Sequence, residues 1–272
     1  MKKWMRIPCL MLAVLLVTVM LGSGMNVKAI GGSADMGDVV QLGDYQGTSL
    51  HIVFYPKALE TSDQIWPVIV WANGTMCAPV LYTDLLKSLS AKGFVVVTNS
   101  DVMSANGKSQ IAALDYILKQ NAKPDSVFYG KIDASRVAAA GHSQGGRSTV
   151  NAAAADSRFR CAVSIAGSPF TSEAKKLSAP TLFLTGTADL VVLSSMWVKP
   201  AYKNCTGPAV YASLKNGIHT SCMLSAGTYV DYCVLWLRAW LDGDAAAMNA
   251  FRPGGALSQD SAWKDCASKN LA

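Results

Sequence analysis

The segment Ala138-Ala139-Ala140-Gly141-His142-Ser143-Gln144-Gly145-Gly146 constrains the fold of this chain more than any other stretch. A small-residue strand, Arg136 to Ala140, runs directly into a G-x-S-x-G turn, and a helix-like run, Arg147 to Ala155, follows at once. Strand, sharp turn, helix is the context in which this pattern carries chemistry. The serine is held at the apex of a tight backbone with its hydroxyl pushed above the sheet. The flanking glycines let strand and helix pass closely. Outside that context the pattern marks only a serine in a tight turn. Within it Ser143 is a candidate nucleophile, and the rest of the chain must provide a base, an acid and donors for an oxyanion.

The surrounding pattern supplies such a sheet. Residues 37–56 alternate apolar and polar side chains around Gly43-Asp44 and Gln46-Gly47, which predicts an antiparallel pair at a sheet edge. From Pro67 the pattern changes to short, nearly continuous apolar runs: Val68 to Trp71, Phe94 to Val97, Val137 to Ala140, Ala162 to Ile165, Thr181 to Leu184 and Ala209 to Leu214. Helical stretches separate or follow them at Leu81–Ala91, Ser109–Gln120, Gln144–Ala155, Ser194–Tyr202 and Thr228–Leu241. Continuous apolar strands alternating with helices predict an α/β protein, a mostly parallel sheet of about eight strands with helices on both faces. Two edge strands and about six parallel ones, with the serine turn after the third, is the order of the α/β-hydrolase fold. The tail to Ala272 is polar and rich in Gly, Ser and Asp.

Reactive groups in such a sheet gather at the carboxyl ends of the strands, which narrows the search to a few loops. The loop after Trp71 reads Ala72-Asn73-Gly74-Thr75-Met76. It is either an ordinary turn or the source of one oxyanion N–H, at Thr75. The other donor in this fold is the residue after the serine, Gln144. The loop after Leu184 places Asp189 just beyond a buried strand, as a turn residue or as the acid that orients the base. The chain has three histidines. His142 is tied into the serine turn and points away from the hydroxyl, and His51 lies on an early strand. His219, on the loop after Leu214, stands at the right end of the last strand. The order Ser143, Asp189, His219 is that of a hydrolase triad.

At the N-terminus, Lys2, Lys3 and Arg6 precede an apolar run from Cys9 to Leu21, and Val27-Lys28-Ala29 has the small residues of a cleavage site. The run is too short to span a bilayer, so residues 1–29 read as a secretory signal peptide and 30–272 as one catalytic domain. Removing residues 1–29, with four basic and no acidic residues, lowers the formal net charge from +6 to +2. That excess gives no reason to expect nucleic acid or an anionic membrane as a partner. A secreted monomer without stable membrane association is the expectation. No C-x-x-C, H-E-x-x-H or Gly-rich phosphate loop is present, so neither metal nor cofactor is expected.

Gly141-His142-Ser143-Gln144-Gly145-Gly146, the Asp189 loop, His219 and the segment Ser90-Ala91-Lys92-Gly93-Phe94-Val95-Val96-Val97 resemble the bacterial cutinase and polyester-hydrolase branch of the α/β-hydrolases. Dienelactone-hydrolase-like esterases are close relatives of that branch. The resemblance runs from about Pro67 to His219 and implies a serine-esterase mechanism without a metal. It implies oxyanion contacts at Thr75 and Gln144, and substrate contacts at Phe170, where the polyester enzymes usually carry Trp, and at Val191. Thr75 stands where those enzymes show an aromatic, so one wall of their aromatic clamp is missing.

Thirteen residues, Ser168 to Pro180, link two successive strands, too few for a cap domain, which predicts an open cleft. Of seven cysteines, six remain after Cys9 is removed with the signal. Cys77 and Cys222 both lie at the catalytic end and are predicted to pair. Cys205 is separated from Cys222 by a strand about 23 Å long, beyond disulfide reach. Cys233–Cys266 or Cys205–Cys266 would staple the tail, and Cys161 is expected to be a buried thiol. The sum is a secreted serine carboxylester hydrolase acting on short- to medium-acyl or polymeric esters. The same triad in a peptidase or acyltransferase is the alternative, and a non-catalytic binding protein is a third reading.

Overall fold

The computed structural model describes residues 35–45 and 50–271, so the expected signal peptide lies outside the described residues. The strands are β1 Val39–Leu42, β2 His51–Pro56, β3 Trp66–Ala72, β4 Val95–Asn99, β5 Ile132–His142, β6 Phe159–Ile165, β7 Thr181–Gly186, β8 Ala209–Leu214 and β9 Trp263–Lys269. They form one sheet in the order β1-β2-β4-β3-β5-β6-β7-β8-β9. β3 to β8 are mutually parallel, and β1, β2 and β9 join through antiparallel pairings. This is the α/β-hydrolase fold, one strand larger than the sequence pattern indicates.

The continuous apolar runs are explained by a core on each face. Along β3, Ile69 and Trp71 enter one cluster while Val68 and Val70 enter the other. Helices α1 (Thr83–Ala91) and α5 (Ala226–Leu237) cover the first face through Leu85, Leu86, Leu89, Tyr229 and Trp236. Helices α2 (Lys108–Asn121), α3 (Gln144–Ala155) and α4 (Val198–Asn204) cover the second. A strand buried on both faces has no polar face to alternate.

Three boundaries move, each for a local reason. α4 starts at Val198, not Ser194, which leaves Pro200 in the first turn, where its missing N–H costs no hydrogen bond. α1 is preceded by a 3-10 turn, Pro79–Tyr82, that opens on its own proline. α5 ends at Leu237 and passes into a π-turn, Arg238–Asp242, stopped by Gly243 at φ 69°. Between β6 and β7 the Ser168–Pro180 link holds only a one-turn helix, Thr171–Ala174, so no cap covers the sheet there.

The cysteine expectations are corrected. Cys77, Cys161, Cys205, Cys222, Cys233 and Cys266 are all free thiols, so the Cys77–Cys222 bridge is not formed and no disulfide staples the tail. Hydrogen bonds and packing hold both places instead. The tail is secured by β9, which pairs along β8 from Ala209↔Lys269 to Leu214↔Trp263, with Trp263 packed edge-on to Tyr229 and Tyr232. Cys161 is fully buried, as expected, and burial pushes its thiol far above the usual range.

Candidate active site

The turn between β5 and α3 places Ser143 at φ 57° and ψ −120°, a left-handed backbone that an ordinary L-residue avoids. The backbone is held there by crowding. A Cβ on Gly145 would overlap the Ala72 carbonyl, and one on Gly141 would overlap the Gly145 carbonyl. The Ser143 N–H donates to the Ile165 carbonyl on β6, which anchors the apex to the neighbouring strand. Below the turn, Gln110 bonds the Val70 and Ala140 carbonyls and accepts from Ser148, locking α2 and α3 to the sheet.

His219 approaches from the loop after β8. Its Nε2 lies 2.9 Å from Ser143 Oγ, and its Nδ1 lies 2.9 Å from Asp189 Oδ2. The Asp189 carboxylate is buried and accepts through Oδ1 from the Val191 and Val192 N–H groups at 2.9 and 2.8 Å. Burial pushes its pKa up, but the His219 hydrogen bond and charge and the two N–H donors outweigh it, leaving the carboxyl below its usual value. Asp189 is therefore an anion at neutral pH, aimed at the far nitrogen of the imidazole. Ser143 and His219 remain partly exposed, so the chain of hydrogen bonds opens to solvent.

The loop from Ala72 to Met76, expected to hold an oxyanion donor, is described by the partners of its N–H groups. Gly74 N–H goes to Tyr82 Oη, Met76 N–H to the Val102 carbonyl and Cys77 N–H to the Gly74 carbonyl. Among the described residues no partner takes the Thr75 N–H. Gln144 is the first residue of α3, where the N–H has no partner within the helix. Buried Asn73 pins this loop by donating to the Asn99 and Asp101 carbonyls.

Phe170 and Val191 also lie in loops at this end and are 47% and 57% exposed. The Val191 side chain is free while its N–H serves Asp189. Phe170 is clamped: the Arg147 guanidinium sits 4.2 Å from its ring centroid, and its N–H donates to Glu173. Glu173 in turn accepts three hydrogen bonds from Arg147, two of them sharing Nε–H, and one from Asn151.

Sequence reasoning left out the groups behind the triad. His142 does point away from the Ser143 hydroxyl, but its Nδ1 meets Tyr82 Oη at 2.9 Å and its Nε2 meets the His219 carbonyl at 2.8 Å. Nothing in the sequence marked Tyr82, an aromatic at the start of a helix. Arg147 and Glu173 carried no motif either. Among the described residues no group of three or more His, Cys, Asp or Glu could hold a metal ion.

Comparisons with known proteins place the chain in a family. A bis(hydroxyethyl) terephthalate hydrolase of Streptomyces coelicolor is 28% identical over 199 residues, 71% of this chain and 62% of that protein. Cutinase est2 and Cutinase est1 of Thermobifida alba are each 27% identical over 209 residues, 74% of this chain and 67% and 68% of theirs. The chain thus spans a little under two thirds of the Streptomyces protein and about two thirds of the cutinases. The PET hydrolase-like family matches residues 26–263, and the chain belongs to that family of α/β-hydrolases.

Proposed function

We propose that this carboxylic ester hydrolase is a secreted serine esterase that cleaves short- to medium-acyl and polymeric esters through an acyl-enzyme. The unbroken line Ser143 Oγ, His219 Nε2, His219 Nδ1, Asp189 Oδ2 carries the reading. His219 Nε2 takes the Ser143 proton as Oγ bonds to the ester carbonyl carbon. The charge that moves onto the carbonyl oxygen is received by the Thr75 and Gln144 N–H groups. Collapse of this intermediate expels the alcohol, which leaves with the proton held by His219. Water then attacks the acyl-serine with the same histidine as base, releasing the acid and restoring Ser143. Asp189 stabilises the imidazolium in both halves and stays ionised throughout.

The surroundings of the serine support an insoluble or polymeric ester. Eleven of the fifteen exposed large hydrophobics among the described residues lie in loops that follow the carboxyl ends of the parallel strands. They include Met76 at 75%, Met196 at 62% and Leu190 at 85% exposure. Isolated exposed apolar groups are ordinary, but their concentration in the loops at the end of the sheet that carries Ser143 fits an apolar surface laid across that end. Phe170 stands as the aromatic contact for the acyl group and Val191 as its apolar neighbour. Among the described residues no helix is long and apolar enough to cross a membrane. The basic residues and short apolar run within residues 1–29 support a cleaved leader and the secreted assignment.

The test is hydrolysis of p-nitrophenyl esters from acetate to palmitate by the mature protein, beside Ser143→Ala. Bis(hydroxyethyl) terephthalate and polyester film serve as second substrates. Activity that falls with acyl length and disappears in Ser143→Ala is expected. Activity rising to palmitate would favour a lipase, and cleavage of peptides with no esterase activity would replace the assignment with a peptidase.

A further inference from the structure

The two loops that a Cys77–Cys222 bridge would have joined are joined by hydrogen bonds, and the direction of each bond is forced. The His219 carbonyl can only accept, so the proton on the His142 ring sits on Nε2, 2.8 Å away. With Nε2 protonated in a neutral ring, Nδ1 offers a lone pair, so Tyr82 Oη–H donates to it at 2.9 Å. The Tyr82 oxygen, having given its proton away, accepts the Gly74 N–H at 3.0 Å. The line therefore runs from the Gly74 peptide, through Tyr82 and His142, to the His219 peptide. It starts one residue before the Thr75 donor, passes through the residue before Ser143, and ends on the backbone of the base.

Three observations show that this line is tight. Tyr82 is fully buried and His142 is 1% exposed, so no water competes for these bonds. Burial, with His219 beside it, pushes the His142 pKa down to about 3, which keeps the ring neutral and its tautomer fixed. A Cβ on Gly74 would come within 2.9 Å of Tyr82 Oη, 3.3 Å of His142 Nδ1 and 3.3 Å of Ser143 Cβ, so the loop has no room to shift. With both ring nitrogens engaged, His142 is no spare base.

We propose that Tyr82 and His142 are positioning residues that set the His219 backbone in register with the oxyanion loop, so that base and oxyanion donors meet one carbonyl group together. This rests on the Ser143–His219–Asp189 reading. Neither residue touches Ser143 Oγ, and both act through the backbone at Gly74 and His219, which carries the Thr75 donor and the base. A misplacement of about 1 Å in such a peptide costs up to about 100-fold in rate.

The experiment compares Tyr82→Phe, His142→Leu and His142→Gln with the mature wild-type protein on p-nitrophenyl butyrate. It follows kcat, KM and melting temperature, with Ser143→Ala alongside. Tyr82→Phe removes one oxygen and keeps the ring. It is expected to lower kcat about tenfold with KM within about twofold. His142→Leu is expected to lose more, and His142→Gln, whose amide can still donate to the His219 carbonyl, to recover part of the loss. Nitrogen-15 NMR of wild-type His142 is expected to show the neutral Nε2–H tautomer from pH 5 to 8. Unchanged kcat in folded Tyr82→Phe, or an Nδ1–H or doubly protonated ring, would overturn the inference even if His142→Leu fails to fold. Activity surviving in Ser143→Ala would instead overturn the triad reading beneath it.

Discussion

The two ends of the sheet are built on opposite principles. At the amino end, charge holds the surface: Arg136 bridges Asp133 and Asp242, Arg238 joins the same Asp242, and Arg158 pairs with Asp156 and Asp115. Its exposed large hydrophobics are few, among them Ile65 and Tyr129. At the carboxyl end the loops expose Met76, Met103, Leu190, Leu193, Met196 and Ile218. There the ion pairs among the described residues are Arg147–Glu173, which braces Phe170, Asp189–His219 and the more exposed Lys199–Asp265. One end keeps the protein in water and the other gives up solvation around a reactive serine. That asymmetry fits the proposed action on an apolar, extended ester, and it separates changes that affect chemistry, surface contact and stability.

The largest effect belongs to the buried carboxylate. Asp189→Asn keeps the shape of the side chain but removes its charge, and its amide can turn an N–H toward His219 Nδ1. The imidazole then loses the tautomer that accepts from Ser143. A fall of about 1,000- to 10,000-fold in kcat is expected, as for the corresponding change in serine-protease triads. Steady-state kinetics on a soluble ester measures it. A loss of less than about tenfold would mean that the hydrogen bond between Asp189 and His219 is not used in the reaction.

A smaller, substrate-selective effect is expected at the apolar rim. Replacing Leu190 and Met196 together with Ser leaves the hydrogen bonds of the triad in place and removes apolar area from the surface facing a polymer. Each such side chain contributes about 1 kcal/mol if it is partly covered on contact. Release from polyester film is expected to fall about 30-fold while p-nitrophenyl acetate turnover stays within about twofold. Equal losses on both substrates would remove the distinction between surface contact and chemistry. No loss on film would leave the rim without a function.

Much of the fold and the placement of the candidate site were legible in the sequence, because the features that mark them are local, whereas the contrast between the two ends was not. Continuous apolar runs marked strands β3 to β8. The positive-φ serine was legible from its glycines, and Asp189 and His219 followed from the rule that reactive loops lie at strand carboxyl ends. What escaped depends on contacts between distant segments. β9 was hidden because Lys264, Asp265, Ser268 and Lys269 give an edge strand a polar pattern that resembles a tail. Tyr82 was hidden because its partners, Gly74 and His142, are brought to it only by the sheet. The disulfide was misjudged for a related reason. Cys77 and Cys222 do lie at the same end of the sheet, yet both are free, and sharing an end of the sheet does not fix the side-chain geometry a disulfide needs.

The smallest effect tests the amino end. Arg136 donates to Asp133, Asp242 and the Ile65 carbonyl, with its side chain about a quarter exposed. Solvent screens such pairs, so Arg136→Ala is expected to cost about 1 kcal/mol, a melting-temperature drop of about 2–4 °C. The kinetics on a soluble ester should not change, since the residue lies at the opposite end of β5 from Ser143. The loss should also depend on pH in a fixed direction. Partial burial pushes the Asp133 carboxyl up, but hydrogen bonds from Ser135 and Arg136 outweigh it and hold its pKa below the usual value. A carboxyl lowered in the folded state contributes stability above its unfolded pKa, near 4, and loses that contribution as pH falls through the lower folded value. Wild type and Arg136→Ala should therefore melt furthest apart at pH 6 to 7 and draw closer below pH 4, with the contribution of the Ile65 carbonyl contact left. A separation that does not shrink with acid would remove Asp133 from this account, and a changed kcat would tie the charged end to the chemistry and erase the division between the two ends.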